Sequence, residues 1–441
     1  MNILVFDHFF WQDLDELSLI AEPENEIVRI SYLRWHQVAR KYFPDNAFDG
    51  VANAYNPDLS ENWKAYEKWV EQETIWLINA YRPNLFVTPS DSFFYLRPFI
   101  SSLKRFGVKT FVLQKETTIS PMVMEIHSRE IGHFVPFMSD FMTVCSERHK
   151  QFWINAGANP DLISVTGQPR FDIYRRENST LSSGADAVTK VLYLSYDDSA
   201  YLPSDLGAKY DGSWKQQRQE TERVLYDISQ TVAVTVKKHP QQSFAEDWIG
   251  PNVKIADRFT DTRTLIVDAD VVVGFQTTAL YESAVAGKPT IYAAWGDIFE
   301  KNKESLIRFD LASDLVIHAA SPTHLRNLLS QKPKDIPRAS EAALRLVYDE
   351  LGPIDGKATE RSWSLMKKHF STPNIEDISS SLFLVGLKYT LYSRTYGLFV
   401  LISKLVLSSK TDGLKRRQDI AHQILNERRR IFRHLKEVSA K

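Results

Sequence analysis

The chain has 441 residues, 43% apolar and 25% charged, the make-up of an ordinary globular protein with room for two domains and some extra elements. Its net charge of −1 hides an asymmetry: residues 381–441 carry 13 Lys and Arg against 4 Asp and Glu, a balance of +9, which leaves −10 for residues 1–380. The acidic body, without a recognised nucleic-acid module, argues against nucleic-acid binding, and the single Cys145 excludes an internal disulfide and fits a reducing cytoplasm.

In chain order, the first segment lacks a basic leader and meets Asp7 after four apolar residues, so it reads as a strand and not as a signal peptide. Apolar runs at 3–6, 26–32, 84–88, 109–113, 141–145 and 162–166 predict a first series of strands. Several are separated by enough chain for a crossover helix, which predicts a parallel sheet. The small, polar stretch 178–185 reads as a linker. A second series follows at 188–194, 231–237, 253–255, 271–274, 290–293 and 314–317. The expected organisation is an N-terminal Rossmann-like domain over 1–180, a second over 186–355, a crossover helix over 356–374 and a basic amphipathic tail over 375–441. Lys388, Arg394 and Lys404 interrupt every apolar run of the tail that approaches bilayer length. Two readings of the tail stand: a helix lying on an anionic membrane surface, with Lys415–Arg417 and Arg428–Arg430 as polybasic clusters, or helices packed on protein.

Two segments of the second series carry chemistry. Val236, Lys237, Lys238, His239 and Pro240 read as a strand that ends in a cationic turn. Val271, Val272, Val273 and Gly274 lead through Phe275, Gln276, Thr277 and Thr278 into a helical pattern beginning near Ala279, with Glu282 one turn in. Strand ends with hydroxyl side chains and exposed helix N–H groups can hold a phosphate. In this reading His239 donates to the phosphate, Lys237 or Lys238 adds charge, Pro240 fixes the turn, Gly274 lets the backbone approach closely, Gln276, Thr277 and Thr278 supply polar contacts, and Glu282 accepts from ribose hydroxyls. The competing reading for Thr277 and Thr278 is helix capping, since Thr278 and Glu282 lie near capping-box spacing.

The segment Thr166, Gly167, Gln168, Pro169, Arg170, Phe171, Asp172 resembles the TGxPRxD turn of bacterial surface-polysaccharide transferases and UDP-N-acetylglucosamine 2-epimerases. His239 and Pro240 resemble the HP motif of polysialyltransferases, capsule Kdo transferases and CDP-glycerol glycerophosphotransferases, and Thr277 and Thr278 stand where those families have a hydroxyl pair. The resemblance spans roughly residues 1–370. It implies an α/β GT-B fold, two Rossmann-like domains with parallel sheets facing across a cleft, here followed by a helical C-terminal extension.

The implied function is a metal-independent glycosyltransferase, on the inner face of a bacterial inner membrane, that builds a surface polysaccharide such as capsule or O-antigen. Its partners would be a nucleotide-sugar donor, with a CMP-linked sugar such as CMP-Kdo favoured, a glycan or lipid-linked glycan acceptor, and the membrane surface through the tail. No cofactor is expected beyond the co-substrate. A base that deprotonates the acceptor should leave a strand end of the first domain: Glu116 first, with Asp7, His8 and Asp91 as rivals. Arg170 and Asp172 are expected to lock each other, and Asp197 and Asp198 to line the cleft as loop residues. Trp11, Phe93, Phe94 and Tyr95 are candidates for stacking on acceptor sugars. An epimerase and an inactive nucleotide-sugar or glycan-binding scaffold remain the alternatives.

Overall fold

A computed structural model describes residues 2–6, 10–116, 121–176, 187–198, 213–239, 250–257 and 260–370. Asp7, His8, Pro240, the 178–185 linker and the 375–441 tail lie outside the described residues. The chain divides into two units, one of Met1–Glu116, Val123–Arg170 and the chain from Thr359 onward, the other of Thr117–Met122 and Phe171–Ala358.

Unit 1 is built on six strands: β1 (Asn2–Phe6), β2 (Glu26–Ile30), β3 (Leu85–Thr88), β4 (Lys109–Leu113), β5 (Phe141–Val144) and β6 (Ile163–Val165). They form one sheet in the order β2-β1-β3-β4-β5-β6, and each pair is parallel. Unit 2 repeats the architecture with β7 (Lys190–Ser195), β8 (Ala233–Lys238), β9 (Val253–Ile255), β10 (Val271–Gly274), β11 (Thr290–Ala293) and β12 (Ile317–Ala319). Their order is β12-β11-β10-β7-β8-β9, again all parallel. The fold class is therefore α/β, with two Rossmann-like units.

These strands read as unbroken apolar runs because both faces of a parallel sheet are covered by helices. Every residue of Leu85–Thr88 and of Val271–Gly274 is buried, whereas the edge strand Val253–Ile255 exposes Lys254 and Ile255. Eleven of the twelve strands lie where the sequence predicts them. The twelfth begins at Ile317 instead of 314, because the N–H groups of Leu315 and Val316 donate to the Ala312 carbonyl and hold that stretch in a turn. The helix Ala358–Lys368, expected over 356–374, carries Trp363 and Met366 into the unit 1 core. Its Lys367 and Trp363 donate to the two carboxylate oxygens of Glu22 at 2.6 and 2.8 Å, and the Lys367 ammonium, with the other bonds, holds that carboxyl down to about 2.

The same device aligns both sheets. Asp140, just before β5, accepts from the N–H and hydroxyl of Thr110 on β4, both at 2.9 Å. Asp270, just before β10, accepts from the N–H and hydroxyl of Thr189, both at 2.8 Å, and from the Lys190 N–H at 3.0 Å, beside β7. An aspartate ahead of one strand thus fixes the start of its neighbour. Burial works to raise the Asp140 carboxyl, but the Thr110 bonds and the charges of Lys104 and Lys109 outweigh it and hold the group below its ordinary 3.8.

A depressed carboxyl stabilises the fold above its unfolded value, and that contribution fades as pH falls through the folded one. Asp140→Asn is therefore expected to cost about 1–2 kcal/mol at neutral pH in urea unfolding. The gap to wild type should narrow as the pH is taken below 3.8. A gap independent of pH would show that the charge of Asp140 is not what matters.

Candidate functional site

In unit 2 the strand order reverses at β7: β8 and β9 lie on one side, β10, β11 and β12 on the other. In an open α/β sheet such a switch point leaves a crevice at the carboxyl ends of the strands, where ligands bind. The three strands that meet there, β8, β7 and β10, end in Lys238 and His239, in Tyr196, Asp197 and Asp198, and in Phe275, Gln276, Thr277 and Thr278. The register pairs Ser195 with Lys238 and Leu194 with Gly274, so these three ends lie side by side.

His239 and Lys238 are half-buried at the end of β8. The neighbouring Lys237 is buried, and its ammonium donates to the Asp257 carbonyl at 3.0 Å. Lys237 is therefore structural. Burial lowers the His239 imidazole below its ordinary 6.5, and the Asp197 carboxylate acts against that shift. Asp198 points elsewhere: it accepts from Arg218 Nε at 2.6 Å, and Arg218 also binds Glu222 through both carboxylate oxygens at 2.8 and 2.9 Å. Reading Asp197 and Asp198 together as loop residues missed this division of labour. The signal lay in the helix Lys215–Ile228, where Arg218 and Glu222 stand at i,i+4 spacing.

The β10 segment departs from expectation in three places. Gln276 is 2% exposed and its carboxamide is bound to protein on both ends. Its nitrogen donates to the Tyr292 hydroxyl at 2.7 Å and the Ile307 carbonyl at 2.9 Å, while its oxygen accepts from the Ile307 N–H at 2.8 Å. It is a clamp on the 307 loop and not a ligand contact. Gly274 answers a packing demand: a Cβ there would lie 3.2 Å from Leu280 Cδ2 and 3.3 Å from Leu194 Cβ. The helix Ala279–Val285 starts where predicted, but the Thr278 side chain makes no capping bond; Thr277 Oγ1 accepts from the Ala279 N–H at 3.3 Å. Thr277 and Thr278 are both half-buried at the head of this helix. Gly287, with φ of 70°, makes the left-handed turn that leads to β11.

Glu282, one turn in, accepts from the Tyr174 hydroxyl at 2.7 Å. Tyr174 is fully buried, and burial first and the Glu282 charge second push its phenol far up, so it stays a donor. A carboxamide and an indole tie further loops at the carboxyl end of the sheet. Gln217 donates to the Tyr196 hydroxyl at 2.9 Å and the Ala293 carbonyl at 3.3 Å and accepts from the Trp295 N–H at 3.1 Å, and the Trp295 indole donates to Glu220 at 2.6 Å.

In unit 1, Glu116 is exposed just past β4, where it pairs with Lys115 at 2.8 Å. The Gln168 side chain, buried after β6, donates to the carbonyls of Gln114, Lys115 and Glu116 at 3.2, 2.9 and 2.9 Å and so fixes the turn that carries Glu116. Asp91 is 0% exposed and accepts from the N–H groups of Met138 and Ser139, both at 2.9 Å; burial dominates and raises its carboxyl. Its position is that of a buried bracket for the 138–139 turn. Arg170 donates its N–H to Asp13 at 3.0 Å and sets its guanidinium 3.6 Å from the same carboxylate, while Asp172, in unit 2, accepts from the Ala358 N–H at 3.2 Å. Phe94 and Tyr95, 6% and 4% exposed, pack in the unit 1 core with Phe43 and Tyr32, which removes them as stacking surfaces; Trp11 is 38% exposed.

No protein-family model matches the sequence, and no curated protein is similar to it in sequence. Among solved structures, the wall teichoic acid polymerase TagF is similar at 12% identity and a TM-score of 0.48, over 83% of this chain and 88% of that one. The UDP-GlcNAc 2-epimerase of Neisseria meningitidis, bound to UDP-GlcNAc, is similar at 10% identity and a TM-score of 0.45, over 83% of this chain and 100% of that one. The S. aureus MnaA–UDP structure is similar at 13% identity and a TM-score of 0.46, over 83% and 96%. These are likenesses of architecture alone.

Proposed function

We propose that the chain is a glycosyltransferase whose unit 2 holds a nucleotide-activated sugar at the β8-β7-β10 switch point. The observation that carries this reading is the placing of His239 and Lys238 at the end of β8 and of the Thr277–Thr278 turn at the end of β10, on either side of the switch-point strand β7. A leaving phosphate needs charge or hydrogen bonds that strengthen as its negative charge develops. His239 supplies a donor that Asp197 helps to protonate, Lys238 supplies a fixed charge, and the Thr277 and Thr278 hydroxyls add neutral donors. Glu282, which accepts from the Tyr174 hydroxyl, is assigned to a ribose hydroxyl. In unit 1, Glu116 on its Gln168-braced turn is the base for the acceptor hydroxyl. The His239-Pro240 resemblance favours a CMP-linked sugar, so CMP-Kdo is the first donor to assay, with a glycan or lipid-linked glycan as acceptor and membrane contact through the basic tail.

Calorimetric titration with CMP, CDP, UDP and GDP tests the site. A nucleotide should bind without added magnesium, His239→Ala should weaken it about tenfold or more, and Glu116→Gln should bind normally yet lose turnover. Binding of UDP with interconversion of a UDP-sugar and no transfer would establish an epimerase instead, and no binding of any nucleotide would remove the reading.

The affinity ratio of wild type to His239→Ala should also grow as pH falls from 7.5 toward 5.5. The imidazole titrates below 6.5 in the free protein, and an anion favours its charged form, so binding takes up a proton. A ratio flat with pH would show that His239 binds the phosphate as a neutral donor or not at all. Truncation after Ser380 should release the chain from anionic vesicles, since it removes the +9 balance of residues 381–441; retained binding would move the membrane contact elsewhere.

A further inference from the structure

Glu282 is held from a distant part of unit 2. The short helix Asp172–Arg176 stands where that unit begins, and its Tyr174, 1% exposed, sends its hydroxyl to Glu282 Oε2 at 2.7 Å across 108 residues of chain. This helix is bracketed in turn by the segment with which unit 2 ends: Asp172 accepts from the Ala358 N–H at 3.2 Å, and Arg175 Nε donates to the Ile354 carbonyl at 2.9 Å. Gly356, with φ of 76°, passes so close that a Cβ there would lie 3.1 Å from Arg175 Cβ. Arg263 and Asp261 also act on the phenol, and Arg263 donates to Asp261 at 3.0 and 2.8 Å. At the other end of the bond, Glu282 is half-buried in the first turn of the helix Ala279–Val285, which the Ser283 and Thr290 hydroxyls, 2.8 Å apart, pin to β11.

A carboxylate half open to water finds hydrogen bonds there, so it needs no buried phenol to be satisfied. What the phenol supplies is direction. A glutamate side chain has several rotatable bonds, and fixing it costs conformational entropy that a ligand otherwise bears on binding. The Tyr174 phenol, enclosed and kept protonated beside Glu282, is a donor with a single aim. A ribose offers two neighbouring hydroxyl donors on a rigid ring. A carboxylate held in one orientation distinguishes a ring that carries both from a ring that lacks either, and a swinging carboxylate does so less. We propose that Tyr174 is a positioning residue that orients Glu282 and so sets the selectivity of unit 2 for ribonucleotides over deoxyribonucleotides. This rests on the nucleotide reading of unit 2 and on the assignment of Glu282 to a ribose hydroxyl.

The test is calorimetric titration of the full chain with CMP, UDP and GDP and with the 2′-deoxy and 3′-deoxy form of each. Wild type should bind its best ribonucleotide about tenfold or more tightly than one of the deoxy forms. Tyr174→Phe, which keeps the buried ring and removes the hydroxyl alone, should cut that preference to about threefold or less, through weaker binding of the ribonucleotide. Should Tyr174→Phe not fold, Glu282→Asp, which draws the carboxylate back from the phenol by one methylene, should lose the preference in the same way. An undiminished preference overturns the proposal. So does an equal weakening of ribo and deoxy forms, which would make Tyr174 a support of the fold only. Wild type that binds a nucleotide without preferring its ribo form would remove the Glu282 assignment and this proposal while leaving the phosphate contacts standing. Wild type that binds none would remove the nucleotide reading itself, and this proposal with it.

Discussion

The feature on which unit 2 depends is the central position of β7. Its backbone pairs with β8 on one side and β10 on the other, both in parallel, so the chain must leave in opposite directions after each. Right-handed crossovers then send the following helices to opposite faces of the sheet, and the loops after β7 and β10 diverge at their carboxyl ends. Gly274 lets the Leu194 and Leu280 side chains pack close to β10: a Cβ there would lie 3.3 and 3.2 Å from them, so they would have to give by a few tenths of an ångström.

The walls of the crevice are held by neutral groups. Gln217 ties the ends of β7 and β11 together, and Gln276 grips both backbone atoms of Ile307. A carboxamide offers donor and acceptor at once, so each satisfies a loop backbone without placing a charge in a buried region. The charged group nearby, Arg218, is shared between Asp198 and Glu222 and is fixed by both.

The strands were legible because burial on both faces makes a parallel strand an uninterrupted apolar run, and even the polar ends of β8 and β10 could be placed from residue order. The partners of those ends were not. Gln276 meets Ile307, 31 residues on, and Glu282 meets Tyr174, 108 residues back, and nothing local in either segment records such distances. Hence Gln276, read as a ligand contact, clamps the 307 loop, and of the two threonines read as caps only Thr277 accepts from the helix, at the Ala279 N–H. Cys145 and His149 are the exception. Their i,i+4 spacing across a strand end and a helix start is visible in sequence, but a lone buried cysteine gave no reason to look for a histidine beside it.

The two histidines show how environment, and not residue type, assigns chemistry. His239 is half-buried with a carboxylate acting on it, so taking up a proton needs only the nearby anion that would bind there. His149 is almost wholly enclosed. Burial holds its imidazole down to about 4 despite Glu116, and burial pushes the Cys145 thiol up to about 12, so the pair stays neutral across the physiological range. A neutral imidazole in a dry setting cannot neutralise a phosphate and is no activator of the thiol beside it, since ion-pair formation would place two charges where solvent cannot reach. What it can do is present one oriented nitrogen, fixed by sulfur on its other side. How far each strand end is withdrawn from water thus decides which of the two imidazoles can take up a proton.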